Sequence, residues 1–185
     1  GKLDTLVSDF ALGQIPSGSE DPHGLRRAAL GAVRIVLENN FRLNLRAAVS
    51  AAFAQLPPEA SGRAAEPLLD FIWQRAEAVF TEAGFLFDEV KAVREFFMSG
   101  GDLLDCRARI KDINAMRGNP DFAGIAMAFK RAKNILRQAK ATLSGAPDES
   151  SFEKDEERAL YGDIKAMSGR LKAHIDGRDY AKGLS

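Results

Sequence analysis

The sequence predicts an all-α fold, a multi-helical bundle of about eight helices at ordinary helix lengths, with a C-terminal helical segment beyond a linker. Three observations predict it. Apolar residues recur three and four apart along most of the 185 residues, no run alternates with period two long enough to argue a strand, and Gly, Pro, Asp and Asn punctuate the apolar runs.

Lys2 to Leu12 carries Leu3, Leu6, Val7 and Phe10 at helical spacing and reads as the end of a helix begun upstream. Gly13 to Ser19 is a loop by composition. Asp21-Pro22 then starts a helix, with an oxygen-bearing cap and a proline in the first turn, that runs to about Asn39. Leu25, Ala28, Ala29, Ala32, Val33 and Val36, widened by Leu30, Ile35 and Leu37, predict burial on most sides. Leu43 to Phe53 is a short helix stopped by Leu56-Pro57-Pro58. Pro67 opens a long helix with Leu68, Leu69, Ile72, Ala76, Val79 and Phe80 at core spacing, ended by Gly84. Phe87 to Phe97 follows with Val90, Val93 and Phe97 on one side. Ser99-Gly100-Gly101-Asp102 supplies a stop and the cap of the next helix, which runs to Met116.

Asn119-Pro120-Asp121 turns into a helix from Phe122 to about Leu143, with Phe122, Ile125, Phe129, Ala132 and Leu136 expected to face inward. Small, polar and proline residues fill 144–150, so this stretch is expected to link a helical domain of residues 1–143 to a second segment, 151–185. There Phe152, Leu160, Ile164, Met167 and Leu171 give a helical pattern to Ile175, and Tyr180 begins another helix. The pattern stops in mid-course at Gly183-Leu184-Ser185, and both ends read as cut points in a longer chain.

The composition excludes several classes. With 45% hydrophobic and 28% charged residues the chain is too apolar to be disordered. Lys and Arg total 26 against 26 Asp and Glu, so a nucleic-acid site must be local rather than a net field. Cys106 is the one cysteine, which leaves no disulfide framework and no thiolate zinc cluster; beside Leu103, Leu104 and Ile110 it reads as a small buried hydrophobe. No apolar stretch is long enough to cross a bilayer, and no signal peptide opens the chain, so a soluble, cytoplasmic protein is expected.

Two charged stripes stand out. Arg27, Gly31, Arg34 and Glu38 follow spacings of four, three and four on an otherwise apolar helix. A glycine there costs about 1 kcal/mol of helix propensity, so something packs closely at Gly31, either an RNA backbone or a neighbouring helix. An Arg34–Glu38 surface pair is the plainer reading. Lys130, Lys133, Arg137 and Lys140, with Asn134 beside them, border the apolar face of their helix with no acidic residue among them, whereas acidic residues cluster from Asp148 to Glu157. Such a stripe neutralises phosphates and positions RNA without reading bases, or is a solvated face. His23 and His174 lack a second ligand at helical spacing, so no metal site is expected, and no phosphate-binding glycine loop or nucleophile turn marks a catalytic centre.

Asp21 through Asn39, DPHGLRRAALGAVRIVLEN, closely resembles a segment of bacterial glycyl-tRNA synthetase β subunits. Lys2 to Val7 is similar to the family segment before it, Lys130 to Leu136 to a later one, and Phe152-Glu153-Lys154 with Arg158-Ala159-Leu160-Tyr161 to the approach to the family's helical anticodon-binding domain. The order agrees. The resemblance implies a β-subunit fragment running from a histidine–aspartate-like domain into the start of the anticodon-binding domain. In an α2β2 enzyme the α subunit activates glycine with ATP and the β subunit handles tRNA. The implied partners are the α subunit, tRNA(Gly) and a second β subunit, with no cofactor or catalytic residue in this fragment. The family's counterpart of a hydrolase's metal-binding aspartate falls before Lys2, where Gly1 stands. Gln74 departs from an acidic residue usual in the family, and Arg75 matches. Two other readings compete: a helical protein-interaction module, and a metal-dependent histidine–aspartate phosphohydrolase, whose clustered ligands two separate histidines do not supply.

Overall fold

The computed structural model describes residues 1–16, 21, 23–57, 64–139 and 147–177. Their α-helices are α1 (Lys2–Ala11), α2 (Leu25–Glu38), α3 (Leu45–Phe53), α4 (Ala65–Glu82), α5 (Phe87–Ala92), α6 (Arg94–Gly100), α7 (Leu103–Met116), α8 (Pro120–Ala139) and α9 (Asp155–Asp176), with a 3-10 turn at Glu149–Ser151. Among the described residues the only β pairing noted is a lone bridge between Asn44 and Asp102, so the all-α class holds. The helix expected from Tyr180 lies outside the described residues.

The chain divides into two compact units, Gly1–Asn114 and Ala115–Ser185. This division falls earlier than the one read at 144–150; of that stretch, 144–146 lie outside the described residues, and Asp148 caps the 3-10 turn through the Ser150 N–H.

The first unit carries the core. Helix α2 packs chiefly on α1 and α4. It buries Leu25, Ala29, Val33, Val36 and Leu37 while Arg27 and Arg34 stay exposed, as a 3.6-residue period requires. Ile35 is 43% exposed, so the burial on most sides read from the sequence is too broad. The helix also begins at Leu25, later than Asp21-Pro22 suggests. Gly24, with φ +67, precedes it, and the Asp21 carboxylate reaches forward to accept from the Arg26 N–H at 3.1 Å and the Arg27 N–H at 3.4 Å. Burial pushes the Asp21 carboxyl up, but these N–H groups and that of Leu25 outweigh it and leave it below the usual carboxylate range.

Aromatic packing fills the centre of the unit. Trp73 on α4 lies 5.1 Å from Phe97 and 6.3 Å from Phe80 between ring centroids, and Phe71 lies 5.2 Å from Phe10. Each such contact contributes about 0.5–1.5 kcal/mol beyond area burial. The long helix ends where Gly84 takes φ +94, as its stop signal implied. The stretch Phe87 to Phe97 is two short helices rather than one. At Val93 the N–H turns to Val90 C=O at 3.3 Å, a tightened turn, and Phe97 N–H then bonds Val93 C=O. Val90, Val93 and Phe97 are buried on both sides of the break, so their spacing could not reveal it.

Helix α7 starts as read: the Asp102 carboxylate accepts from the N–H groups of Leu104 and Asp105. Cys106 behind it is fully buried, and burial first, then Asp105 and Asp102, push its thiol up to about 12. It is an inert core residue, as its neighbours implied.

Candidate nucleic-acid interface

On α2 the close approach at Gly31 belongs to the protein itself. A Cβ there would stand 3.0 Å from Lys2 Cε and 3.2 Å from Lys2 Nζ, so the Lys2 side chain of α1 crosses the helix at this point. Lys2 thereby adds its ammonium to the stripe between Arg27 and Arg34, a contribution that sequence spacing within one helix does not show. Gly31→Ala is expected to change stability by under about 1 kcal/mol, because a flexible lysine end yields and alanine is the better helix former. A urea midpoint comparison checks this; a loss above about 2 kcal/mol would mean the crossing is rigid.

Arg34 does not pair with Glu38. Its Nη2 donates to Glu82 Oε2 at 3.0 Å, across to α4, because an interhelical carboxylate lies closer than the one on the next turn. Arg27 is 83% exposed and only 3.9 Å from Asp21 Oδ2. Of the two arginines, Arg27 is the one open to a ligand.

On α8 the register sets Lys130, Lys133 and Arg137 on one face with Asn134 beside them, the three cations exposed and Asn134 half-buried. Lys140 lies outside the described residues. No carboxylate pairs with Lys130, Lys133 or Arg137 among the described residues, whereas Arg34, Arg46, Arg94 and Arg109 of the first unit all do. A shallow hollow along this helix is lined by Met127, Lys130, Arg131, Asn134, Ile135 and Gln138. Among the described residues its walls come from this one helix, with no opposing side to enclose a small molecule. It suits an extended surface.

The inward face expected for α8 is not buried: Ile125 is 44%, Phe129 70% and Leu136 49% exposed. An amphipathic period encodes a face that can be covered, not what covers it. The acidic cluster has local work. Glu157 accepts from the N–H groups of Glu153 and Lys154 at the start of α9, Asp155 pairs with Arg158, and Glu149 pairs with Lys165. His23 is exposed and His174 half-buried in the last turn of α9. Among the described residues no group of three or more His, Cys, Asp or Glu is placed to hold a metal ion, and no helix is long and apolar enough to cross a membrane. Gln74 donates to Asp70 Oδ2 at 3.0 Å, a role within its own helix.

Comparison with known proteins shows the family of the chain. Residues 1–95, more than half of the chain, match the family model described as glycyl-tRNA synthetase beta subunit. Among curated relatives, the glycine–tRNA ligase beta subunit of Aromatoleum aromaticum is 36% identical over 185 residues, covering 99% of this chain and 26% of the relative. That of Geotalea uraniireducens is 35% identical over 187 residues, with 100% and 26% covered, and that of Pseudomonas syringae 34% over 185 residues, with 100% and 27%. The chain spans about a quarter of the length of these relatives. It belongs to the glycyl-tRNA synthetase β-subunit family.

Proposed function

We propose that this segment is a noncatalytic, tRNA-binding and assembly part of the β subunit of glycine–tRNA ligase. In this reading the holoenzyme is an α2β2 assembly in the cytoplasm, ATP and glycine are used at the α subunit, and tRNA(Gly) and a second β copy are the further partners. The observation that carries the reading is the exposed row Lys130, Lys133 and Arg137, unpaired with any described carboxylate, on a surface that no described residue outside α8 walls in. Cations left free of internal partners release counterions on meeting a phosphate backbone and position it without reading sequence. Arg27 with Lys2 forms a second basic patch, and Arg34 contributes less because Glu82 holds it.

Replacing Lys133 and Arg137 together with alanine in the assembled enzyme separates the two half-reactions. Glycine-dependent pyrophosphate exchange is expected to stay at its wild-type rate, while the KM for tRNA rises roughly tenfold through loss of two phosphate contacts. An unchanged KM would return α8 to a solvated helix face, and a fall in pyrophosphate exchange would place part of glycine activation here.

A further inference from the structure

We propose that α8 and α9 cover each other's exposed apolar faces as the two arms of an antiparallel helical hairpin. The helices of the first unit bury their apolar stripes, whereas every described side chain of α8 and α9 is exposed or half-buried. Ile125, Phe129 and Leu136 on α8, and Leu160, Ile164, Met167 and Leu171 on α9, are between 40% and 70% exposed. Single apolar residues at a surface need no partner, but two continuous stripes of them mark a contact to be made.

The two stripes fit one another. Read backwards from Leu136, α8 gives Ala132, Phe129 and Ile125 at steps of four, three and four; read forwards from Leu160, α9 gives Ile164, Met167 and Leu171 at the same steps. In an antiparallel pair these residues meet layer by layer. The small Ala132 falls opposite the branched Ile164, and the Phe129 ring opposite the Met167 thioether, a favourable contact. At the edge of the seam Lys133 falls beside Tyr161 and Ser168 rather than beside a cation, and Lys130 and Arg137 keep to the outer flank.

The same steps allow a parallel pair, which the connection disfavours. Residues 149–152 are tied along α9: Glu149 pairs with Lys165, the Phe152 ring stands 5.4 Å from that of Tyr161, and the Phe152 carbonyl accepts from Arg158. Only residues 140–148 remain to join this point to the end of α8. A turn between antiparallel helices needs few residues, whereas a parallel pair requires them to run back along α8. Charge agrees. No carboxylate lies between Phe122 and Ala139, while α9 opens on Asp155, Glu156 and Glu157, and the antiparallel turn brings that acidic start to the basic end of α8. A second copy of either helix competes poorly, because a short connection gives the two arms an effective concentration in the millimolar range.

The test is cross-linking in the assembled enzyme. One form carries Leu136→Cys with Leu160→Cys, and the control carries Leu136→Cys with Leu171→Cys, which sets the second thiol about 16 Å further along α9. Cys106 is fully buried, so it does not compete for a thiol reagent. Each form is treated with a short bis-maleimide, run on a denaturing gel and digested for mass spectrometry. The first pair is expected to join its two peptides within one β chain at several times the yield of the control. No link in the first pair overturns the hairpin, since another surface then covers the two faces. An equal or higher yield from the control overturns it as well, and a first-pair link that joins two β chains assigns the faces to a second copy instead. Should a leucine variant fail to assemble, Ala132→Cys with Ile164→Cys, a milder change one layer along the seam, is judged by the same outcomes. No RNA enters the experiment, so its result is independent of the tRNA-handling reading.

Discussion

Gly101→Ala is expected to destabilise the first unit by about 3 kcal/mol or more, the upper range for a single substitution. Gly101 closes α6 at φ +68, where an L side chain is strained. Conformation is the smaller part of the cost. A Cβ there would lie 2.6 Å from the Arg46 backbone nitrogen and 3.1 Å from that of Leu45, both on α3. Neither is the loose end of a side chain, and the Leu45 N–H donates to the Gly101 carbonyl at 3.1 Å. The same junction carries Arg46, whose Nε donates to the Met98 carbonyl and whose two terminal nitrogens grip Glu66 at 2.6 and 2.8 Å. Moving α3 to admit one methyl group disturbs all of these contacts. Gly84→Ala is the control: φ is +94 but nothing lies within 4 Å, so only backbone strain of about 1–2 kcal/mol is expected. Urea unfolding followed by Trp73 fluorescence compares the two, and equal losses would show that α3 yields.

Glu89→Ala is expected to cost about 2–3 kcal/mol. Glu89 is 1% exposed, and its carboxylate accepts from the Leu86 N–H at 2.9 Å and from the Asn114 amide at 3.1 and 3.2 Å. It therefore caps α5 and ties it to the end of α7. Truncation leaves a cavity and removes charge-assisted hydrogen bonds from a site water does not fill freely. Glu89→Gln keeps the volume and loses the charge, so about half of the loss should return. Thermal unfolding of the three forms checks the order, and a Glu89→Ala variant as stable as the wild type would contradict it.

The elements legible in the sequence were those decided within one turn of chain. Asp102 caps α7 and Gly84 ends α4 because a short polar side chain and a residue tolerant of positive φ do these things wherever the chain asks for them. Core positions such as Leu68, Ile72, Ala76 and Phe80 followed from the period of α4. What escaped depends on residues far apart in the chain. Arg34 pairs with Glu82 across 48 positions rather than with Glu38 on the next turn, and Lys2 occupies the space that Gly31 leaves. On α8 the helix and the basic row are readable, but its apolar period predicts a buried face where Ile125, Phe129 and Leu136 are exposed.

The most direct test of the tRNA-handling account is the salt dependence of tRNA affinity of the assembled enzyme, wild type against the variant with alanine at Lys133 and Arg137. The account predicts weaker binding at low salt and a log–log slope reduced by about 1.4–1.8, two phosphate contacts' worth, with the curves converging at high salt. Superimposable curves of unchanged slope would contradict it.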